Sequence, residues 1–152
     1  MADGTTEAAW GFKPIAAGEW AGWSTYGDEP FEDHAGPFYA RLDDGGQVVC
    51  AFRADKHHMN GGGFMHGGCL MTFADYSIFV IARQVLEGHG SVTASMNCEF
   101  VDAGREGDLI ECRGEVVRGG ASLVFVRGQI AAGGRVLLNF SSIIKKLRRR
   151  SA

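Results

Sequence analysis

A single carboxylate stands inside an apolar segment of the sequence. From Gly67 to Ala82 the chain reads GGCLMTFADYSIFVIA, and Asp75 is its only charged residue. Burying a charge on an apolar helix is unfavourable by several kcal/mol unless a partner or a reaction uses that charge. Asp75 is therefore either a reactive carboxylate or a buried one that is hydrogen-bonded to Thr72, one turn back, or to a neighbour of Tyr76.

The loop ahead of this segment contains five glycines, Gly61, Gly62, Gly63, Gly67 and Gly68. Without side chains, the backbone N–H groups can approach a ligand closely where the chain enters the helix. The N-terminus of that helix also carries the positive end of the helix dipole. The loop and the helix start together favour an anion, or a carbonyl oxygen that becomes negative during a reaction.

Three other kinds of site fit the sequence less well. A nucleotide phosphate loop requires Gly-Lys-Ser/Thr after its glycines, whereas Cys69 and Leu70 stand here. A dinucleotide fingerprint requires a parallel βαβ unit, which the segments around the loop do not predict. His57, His58 and His66 lack the spacing of a tetrahedral metal site, so we expect no metal and place His57 and His58 in a loop near the surface.

The distance between the loop and the carboxylate bears on how many chains form the site. Eight residues separate Gly67 from Asp75, which corresponds to about 12 Å of helix. One substrate atom cannot contact both within one chain. If two copies pair with these helices antiparallel, the helix start of one protomer faces the carboxylate of the other. The sequence thus predicts a shared site in a homo-oligomer.

The elements that position these residues follow from hydrophobic periodicity. Residues 36–55 read GPFYARLDDGGQVVCAFRAD and predict a hairpin around Asp44-Gly45-Gly46. A helix is predicted from about Gly67 to Leu86, with Gly88 beyond its end. Its apolar residues run nearly all the way round, which indicates a buried helix.

After the helix the hydrophobic period changes to two. Four strand-length segments are separated by glycine-containing turns, at residues 91–104, 108–120, 121–134 and 135–147. The predicted fold class is α+β, an antiparallel sheet of about 5–6 strands wrapped around one long central helix. Such a sheet has edges and one exposed face, which again favours pairing with a second copy.

The chain of 152 residues is long enough for one domain. We divide it into an N-terminal extension over residues 1–35, a domain over residues 36–147 and a basic tail over residues 148–152. The segment KKLRRR, residues 145–150, holds five of the fifteen basic residues. It is either a solvated chain end or an arm that binds phosphates.

The composition narrows the classes of partner and compartment. A formal net charge of −3, with 45% hydrophobic and 22% charged residues, gives no general attraction to nucleic acid or to an anionic membrane. The four cysteines lie far apart without a C-x-x-C pair, which predicts reduced thiols in a cytoplasmic protein. We expect neither a targeting signal nor a membrane-spanning helix.

Asn60, Gly63, His66-Gly67-Gly68 and Asp75 form one longer pattern. It resembles the N-x-x-G-x-x-H-G-G-x-x-x-x-x-x-D signature of hotdog-fold acyl-CoA thioesterases, in particular the PaaI-like branch of the 4-hydroxybenzoyl-CoA thioesterase superfamily. The order of two strands, a helix and four strands also matches the hotdog plan. The resemblance implies hydrolysis of an acyl-CoA, or of a related acyl thioester, to the acid and the thiol, without a metal or an organic cofactor.

The resemblance also implies a role for each matching residue. The Gly67 N–H would polarise the thioester carbonyl, Asn60 would position that oxygen or the water, and His66 would hydrogen-bond near the same group. Asp75, acting across the subunit boundary, would be a general base or a direct nucleophile through an anhydride, and Thr93 would orient the water. The alternatives are that Asn60 caps a turn, that His66 is a structural histidine and that Thr93 is an ordinary strand residue.

The resemblance further implies a substrate-binding surface. Gly68, Phe64 and Met65 are the candidates for it, and Phe79 lies either beside them or in the core. Basic residues of the tail are candidates for contacts with CoA phosphates. The expected partners are the acyl-CoA substrate and further copies of the chain, in a dimer or a dimer of dimers.

Three rival functions are considered beside this one. The first is a non-catalytic acyl-CoA sensor on the same fold, and the second is a structural oligomer module. The third, a hotdog hydratase, would need a D-x-N-P-x-x-x-H motif, which this sequence lacks.

Overall fold

The chain is described by a computed structural model over residues 11–148. Most of the basic tail, residues 149–152, and the first ten residues of the N-terminal extension lie outside the described residues. The strands are β1 (Phe12–Pro14), β2 (Ser24–Tyr26), β3 (Tyr39–Leu42), β4 (Val48–Arg53), β5 (Ser91–Phe100), β6 (Leu109–Gly119), β7 (Leu123–Ala132) and β8 (Arg135–Lys146). The helices are α1 (Pro30–Ala35), α2 (Gly67–Ile81) and α3 (Arg83–Leu86), with a 3-10 turn at Lys56–His58.

All eight described strands form one antiparallel sheet in the order β1-β2-β3-β4-β6-β7-β8-β5. Helix α2 contacts the five strands from β4 to β5 in that order. The predicted α+β plan of a sheet around a long helix is therefore confirmed. The predicted strand number of about 5–6 is too low, because two short strands before residue 36 join the same sheet.

The two extra strands are held by aromatic side chains. β1 pairs with β2, and β2 pairs with β3 through Ser24 and Ala40. The rings of Phe12 and Tyr26 stack with their centroids 4.3 Å apart, and Phe12 belongs to the buried core. A strand of three residues shows too little alternation of apolar and polar side chains to be recognised from sequence. Its stability comes instead from this aromatic packing.

Helix α2 begins where predicted and ends five residues earlier than predicted. Ala82, with ψ near 0°, interrupts the helix before α3 continues to Leu86. The face that packs on the sheet is fully buried and includes Leu70, Phe73, Ile78 and Val80. The opposite face is open in a single chain, where Met71 is 40% exposed. Burial all round the helix, as the apolar sequence predicts, would require a second surface to cover this face.

A β-bulge in β5 decides which of its side chains face helix α2. Thr93 pairs with Ile144 and Phe100 pairs with Leu138, and both partners are buried under the helix. Residues seven positions apart in a regular strand point to opposite faces. The register shift between Thr93 and Ser95 removes that difference. Both Thr93 and Phe100 therefore lie on the helix side of the sheet.

Candidate active site

Asp75 is a partly buried carboxylate held from the neighbouring strand. The hydroxyl of Thr93 donates a hydrogen bond of 2.6 Å to Asp75 Oδ1. The Thr72 hydroxyl, which was the alternative partner, donates instead to the Gly68 carbonyl at 2.8 Å. The bond from Thr93 orients one carboxylate oxygen and leaves Oδ2 free of any hydrogen bond to residues 11–148. Asp75 and Thr93 are thus brought together, as the resemblance implies.

His66 forms the start of helix α2. As the N-cap residue, it accepts the Gly68 N–H at its Nδ1 over 2.8 Å. An accepting Nδ1 carries no proton, so the neutral ring carries its proton on Nε2. His66 is itself exposed, and its Nε2–H is therefore a donor at the surface beside the helix start. This histidine has a structural bond on one nitrogen and a free donor on the other.

The Gly67 N–H is the free donor at the helix start. No acceptor among the described residues bonds it, whereas the Gly68 N–H is taken by His66. The first N–H groups of a helix have no partner within the helix and lie at the positive end of its dipole. Gly67 therefore has an N–H without an acceptor at the helix start, where the sequence predicts a seat for an oxyanion.

Asn60 stabilises the glycine-rich loop with its side-chain oxygen. Asn60 Oδ1 accepts the N–H groups of Gly62 at 2.9 Å and Phe64 at 3.2 Å. Gly63 has φ +80°, a conformation that favours glycine. The turn-capping alternative for Asn60 is thus present, and it uses only the oxygen. The amide Nδ2 of Asn60 makes no hydrogen bond within the described chain and remains a donor on the exposed side.

The three residues expected in substrate binding lie in different surroundings. Phe64 is 47% exposed and Gly68 is exposed, so both are accessible to a ligand. Met65 is in the core, where its N–H donates to the Gly104 carbonyl at 2.8 Å. Burial keeps the Met65 side chain away from the surface that carries His66 Nε2. Phe79 is partly buried and packs against the core.

Phe100 is a neighbour of the site that the sequence analysis missed. A Cβ on Gly67 would lie 3.0 Å from Phe100 Cε1, so the ring covers the helix start directly. Phe100 is 54% exposed, so its ring lies at the surface beside the helix start. Without the bulge between Thr93 and Ser95, the alternation of side chains along β5 would place Phe100 on the face opposite Thr93.

Glu32 is the second residue that the sequence analysis missed. Its Oε2 atom is buried and has no hydrogen-bond partner. Burial, reinforced by the charges of Glu29, Asp75 and Asp33, raises the pKa of Glu32 to about 7. The only signal in the sequence is an acidic cluster around the start of α1, which is also the ordinary pattern of a helix N-terminus.

The histidines before the loop have structural roles. His58 was expected near the surface, and this is wrong, since only 4% of it is exposed. Its Nδ1 accepts the Asp55 N–H at 2.9 Å, and its Nε2 lies 2.9 Å from the Ala35 carbonyl. Burial lowers the pKa of His58 below its ordinary value.

Over residues 11–148 no cluster of three His, Cys, Asp or Glu side chains is placed to hold a metal ion.

Within one chain the two halves of the site do not meet. The loop half contains Asn60, His66 and the free Gly67 N–H, and the carboxylate half contains Asp75 and Thr93. Gly67 and Asp75 lie on one helix at a separation of about 12 Å. A substrate carbonyl bound at Gly67 is thus beyond the reach of the carboxylate of the same chain.

The family of the chain follows from its relatives. Residues 62–138 match the Thioesterase superfamily, and this region contains all of α2 and the signature from Gly63 to Asp75. The chain is 30% identical over 134 residues to a Pseudomonas aeruginosa protein named "Putative esterase PA0474", covering 88% of this chain and 92% of the relative. The chain belongs to the thioesterase superfamily.

Solved structures share the fold. A hypothetical thioesterase of Streptococcus pneumoniae with coenzyme A aligns with a TM-score of 0.66 at 23% identity, over 75% of this chain and 88% of the other. The Escherichia coli PaaI protein from the phenylacetic acid degradation operon aligns with a TM-score of 0.69 at 17% identity, over 80% and 86%. The Streptococcus mutans protein smu.793, bound to acetyl CoA, aligns with a TM-score of 0.66 at 19% identity, over 75% and 91%. The predicted hotdog fold and the resemblance to PaaI-like thioesterases are confirmed.

Between residues 11 and 148 the structure has no helix of the length and apolar character needed to cross a bilayer.

Proposed function

We propose that this chain is an acyl-CoA thioesterase that hydrolyses its substrate to the free acid and the thiol. The observation that carries the proposal is the hydrogen bond from Thr93 to Asp75, which holds a carboxylate on an otherwise apolar helix with one oxygen free. A free N–H at Gly67 supplies the complementary donor for the thioester oxygen. Coenzyme A or acetyl CoA bound to two proteins of the same fold supports CoA as the carrier.

In the general-base form of the reaction, the free Asp75 oxygen takes a proton from water as the water oxygen bonds to the thioester carbon. The Gly67 N–H binds the oxyanion that forms, with Asn60 Nδ2 and His66 Nε2 as further donors. Collapse of this intermediate breaks the C–S bond, and the leaving thiolate takes up the proton held by Asp75. In the nucleophilic form, Asp75 attacks the same carbon, expels the thiolate and forms an anhydride that water cleaves.

The sharing of the site between two chains rests on strand β5. This ten-residue strand pairs only with β8 among the described strands and forms one edge of the sheet. The other edge, β1, has only three residues and contains Pro14, so it is a poor template for further pairing. β5 is therefore the edge that pairs with a second copy.

Antiparallel pairing of two β5 strands brings the two half-sites together. In one chain, the Thr93 end of β5 lies beside Asp75 and the Phe100 end lies beside Gly67. Two such strands running in opposite directions place the Thr93 end of one beside the Phe100 end of the other. The carboxylate of one protomer then faces the free N–H of its partner. The same contact covers the open face of α2 that carries Met71.

The outer face of the sheet supports a dimer of dimers. Val117, Leu123 and Phe125 lie at one end of β6 and β7, and each is at least 38% exposed. An apolar patch of this kind on a sheet face favours burial against another copy. We therefore propose a homotetramer in which β5 forms the catalytic dimer and the outer face joins two dimers.

The test is a thiol-release assay on short-chain, long-chain and aromatic acyl-CoAs with wild-type protein and Asp75→Asn. The substitution keeps an acceptor for Thr93 but removes the base, so kcat falls by about 100-fold or more while substrate still binds. Asp44→Asn, on the exposed hairpin turn, is the matched control and retains wild-type turnover. A folded, fully active Asp75→Asn would overturn the mechanism. Binding of acyl-CoA without any thiol release would instead support the non-catalytic sensor.

A further inference from the structure

Glu32 and Tyr76 present two buried polar atoms without partners. Glu32 Oε2 and Tyr76 Oη are both buried, and neither makes a hydrogen bond within the described chain. Such groups are rare in folded proteins, because each gives up its hydration without a replacement bond. Both residues line one narrow pocket together with Thr25, Tyr26, Asp33 and Phe38, and that pocket is too small to hold a water molecule.

This pair packs against the helix that carries the proposed base. Tyr76 directly follows Asp75 on α2 and is 2% exposed. Its ring packs against Phe38 and Tyr26, with centroids 5.4 Å and 5.6 Å away. Helix α1 packs against α2 and brings Glu32 to this position. The unpartnered carboxyl group thus comes from the N-terminal segment, which the family match over residues 62–138 does not include.

The charges that act on the pKa of Glu32 are all negative. Glu29 directly precedes α1, Asp33 lies on α1 and Asp75 lies on α2, and the charge of each raises the pKa of Glu32. Tyr26 on β2, Tyr76 on α2 and Cys50 on β4 are the remaining titratable neighbours, and all three are neutral because burial raises the pKa of each. The charge of Arg83 lowers the pKa of Tyr26 and of Cys50, and no described Lys or Arg forms an ion pair with Glu32.

We propose that Glu32 is a positioning residue of the active site, a second carboxyl group that acts through Asp75. The proposal rests on the proposed function of Asp75. An ionised Glu32 repels the negative charge of Asp75, and this repulsion is relieved when Asp75 accepts the proton of the attacking water. Ionisation of Glu32 therefore favours the proton transfer, and a protonated Glu32 slows it.

The pKa of Glu32 sets the pH range in which its charge influences the proton transfer to Asp75. Burial is the largest cause that raises it to about 7, and the charge of Asp75 contributes. Glu32 therefore changes its charge near neutral pH, where an ordinary surface glutamate is already ionised. The expected consequence is a rate that increases as pH rises through about 7.

The first experiment measures the coupling without turnover. Glutamate labelled with ¹³C at the carboxyl carbon is incorporated into wild-type and Asp75→Asn protein, and the Glu32 signal is assigned by its loss in Glu32→Gln. We expect the Glu32 titration midpoint to lie near pH 7 in the wild type and at lower pH in Asp75→Asn, because one repelling charge is gone. An unchanged midpoint would overturn the proposal.

The second experiment measures kcat against pH with any acyl-CoA that the wild type cleaves. The wild-type rate is expected to rise roughly three- to tenfold between pH 6 and pH 8, and Glu32→Gln is expected to lose this rise and keep a cooperative thermal transition. Asp44→Asn, on the exposed hairpin turn and not among the charges that act on Glu32, keeps the rise. An inactive Asp75→Asn combined with a wild-type profile for Glu32→Gln would overturn the role of Glu32 alone. A fully active Asp75→Asn would overturn the proposed function and this role with it.

Discussion

The Thr93 hydroxyl donates a hydrogen bond of 2.6 Å to Asp75 Oδ1, although the two residues lie 18 positions apart in the chain. This bond joins the central helix to the edge strand at the point where the helix carries its only charge. It gives the carboxylate a fixed orientation, and it makes β5 part of the proposed active site as well as the proposed dimer edge.

Thr93→Val is expected to lower kcat by about tenfold, because valine keeps the shape of threonine and removes the donor that orients Asp75. The unfolding free energy falls by about 1 kcal/mol, since a partly buried carboxylate oxygen loses its bond. Thr93→Ser keeps the hydroxyl and serves as the control. Steady-state kinetics and urea unfolding on the same preparations measure both effects. Equal turnover of the Val and Ser variants would show that the bond has no part in catalysis.

Gly67→Pro removes the free N–H without breaking the helix. Proline is favoured at the first position of a helix, and His66, with φ −65° and ψ 132°, already has the conformation that a residue before proline requires. Gly67→Ala is the matched control, because it adds the same Cβ against Phe100 and keeps the N–H. We expect kcat of the Pro variant to be about 100-fold below that of the Ala variant. Similar values for the two would exclude Gly67 as the oxyanion donor.

His66→Ala removes the cap of helix α2 and lowers the unfolding free energy by about 1 kcal/mol. His66→Asn restores a good N-cap but lacks the Nε2–H donor. Stability measured by urea unfolding is therefore expected to recover in the Asn variant, whereas turnover stays low. If turnover recovers together with stability, His66 serves only to cap the helix.

Mixing two inactive variants tests whether the site is shared. Asp75→Asn and Gly67→Pro each damage a different half-site, so a mixed dimer contains one intact site and one doubly damaged site. After co-refolding in equal amounts, half of the dimers are mixed, and about a quarter of wild-type activity is expected. Each variant refolded alone is the control. No recovery in the mixture, or a fully active 16.3 kDa particle by light scattering, would contradict the shared site.

Stability should depend on pH through Glu32. Its folded pKa of about 7 lies above its ordinary value of 4.5, so the folded protein binds more protons than the unfolded chain between these values. The stabilising contribution of this proton is present below about pH 4.5 and is lost as pH rises through 7. Glu32→Gln is therefore expected to be more stable than the wild type at pH 8 and similar to it at pH 4.5. Thermal unfolding across this range measures the difference, and a constant offset at all pH values would contradict it.

Local patterns in the sequence were sufficient for the long elements and for the site motif. The period of two after residue 90 predicted the four strands β5 to β8, and the glycine-rich loop followed by an apolar run predicted the start of α2 at Gly67. The spacing from Asn60 to Asp75 pointed to the candidate residues of the loop half and to Asp75, whereas Thr93 was named only through the family resemblance. These features depend on residues close together in the chain, where side-chain period and backbone freedom act directly.

Other features were decided only by tertiary structure. β1 and β2 are too short to carry a period, and His58 is buried because Ala35 and Phe52 lie against it. The unpartnered Glu32 carboxyl became visible only when α1 was placed against α2.

The position of Phe100 shows why these contacts could not be predicted from the sequence alone. Counted along a regular strand, Thr93 and Phe100 point to opposite faces. The bulge between Thr93 and Ser95, in the pairing of β5 with β8, turns both toward α2. The sequence alone determined which residues could react. The pairing of distant strands decided that Asp75 receives its hydrogen bond from Thr93 and that Phe100 covers Gly67, because such contacts depend on register between segments that local pattern does not encode.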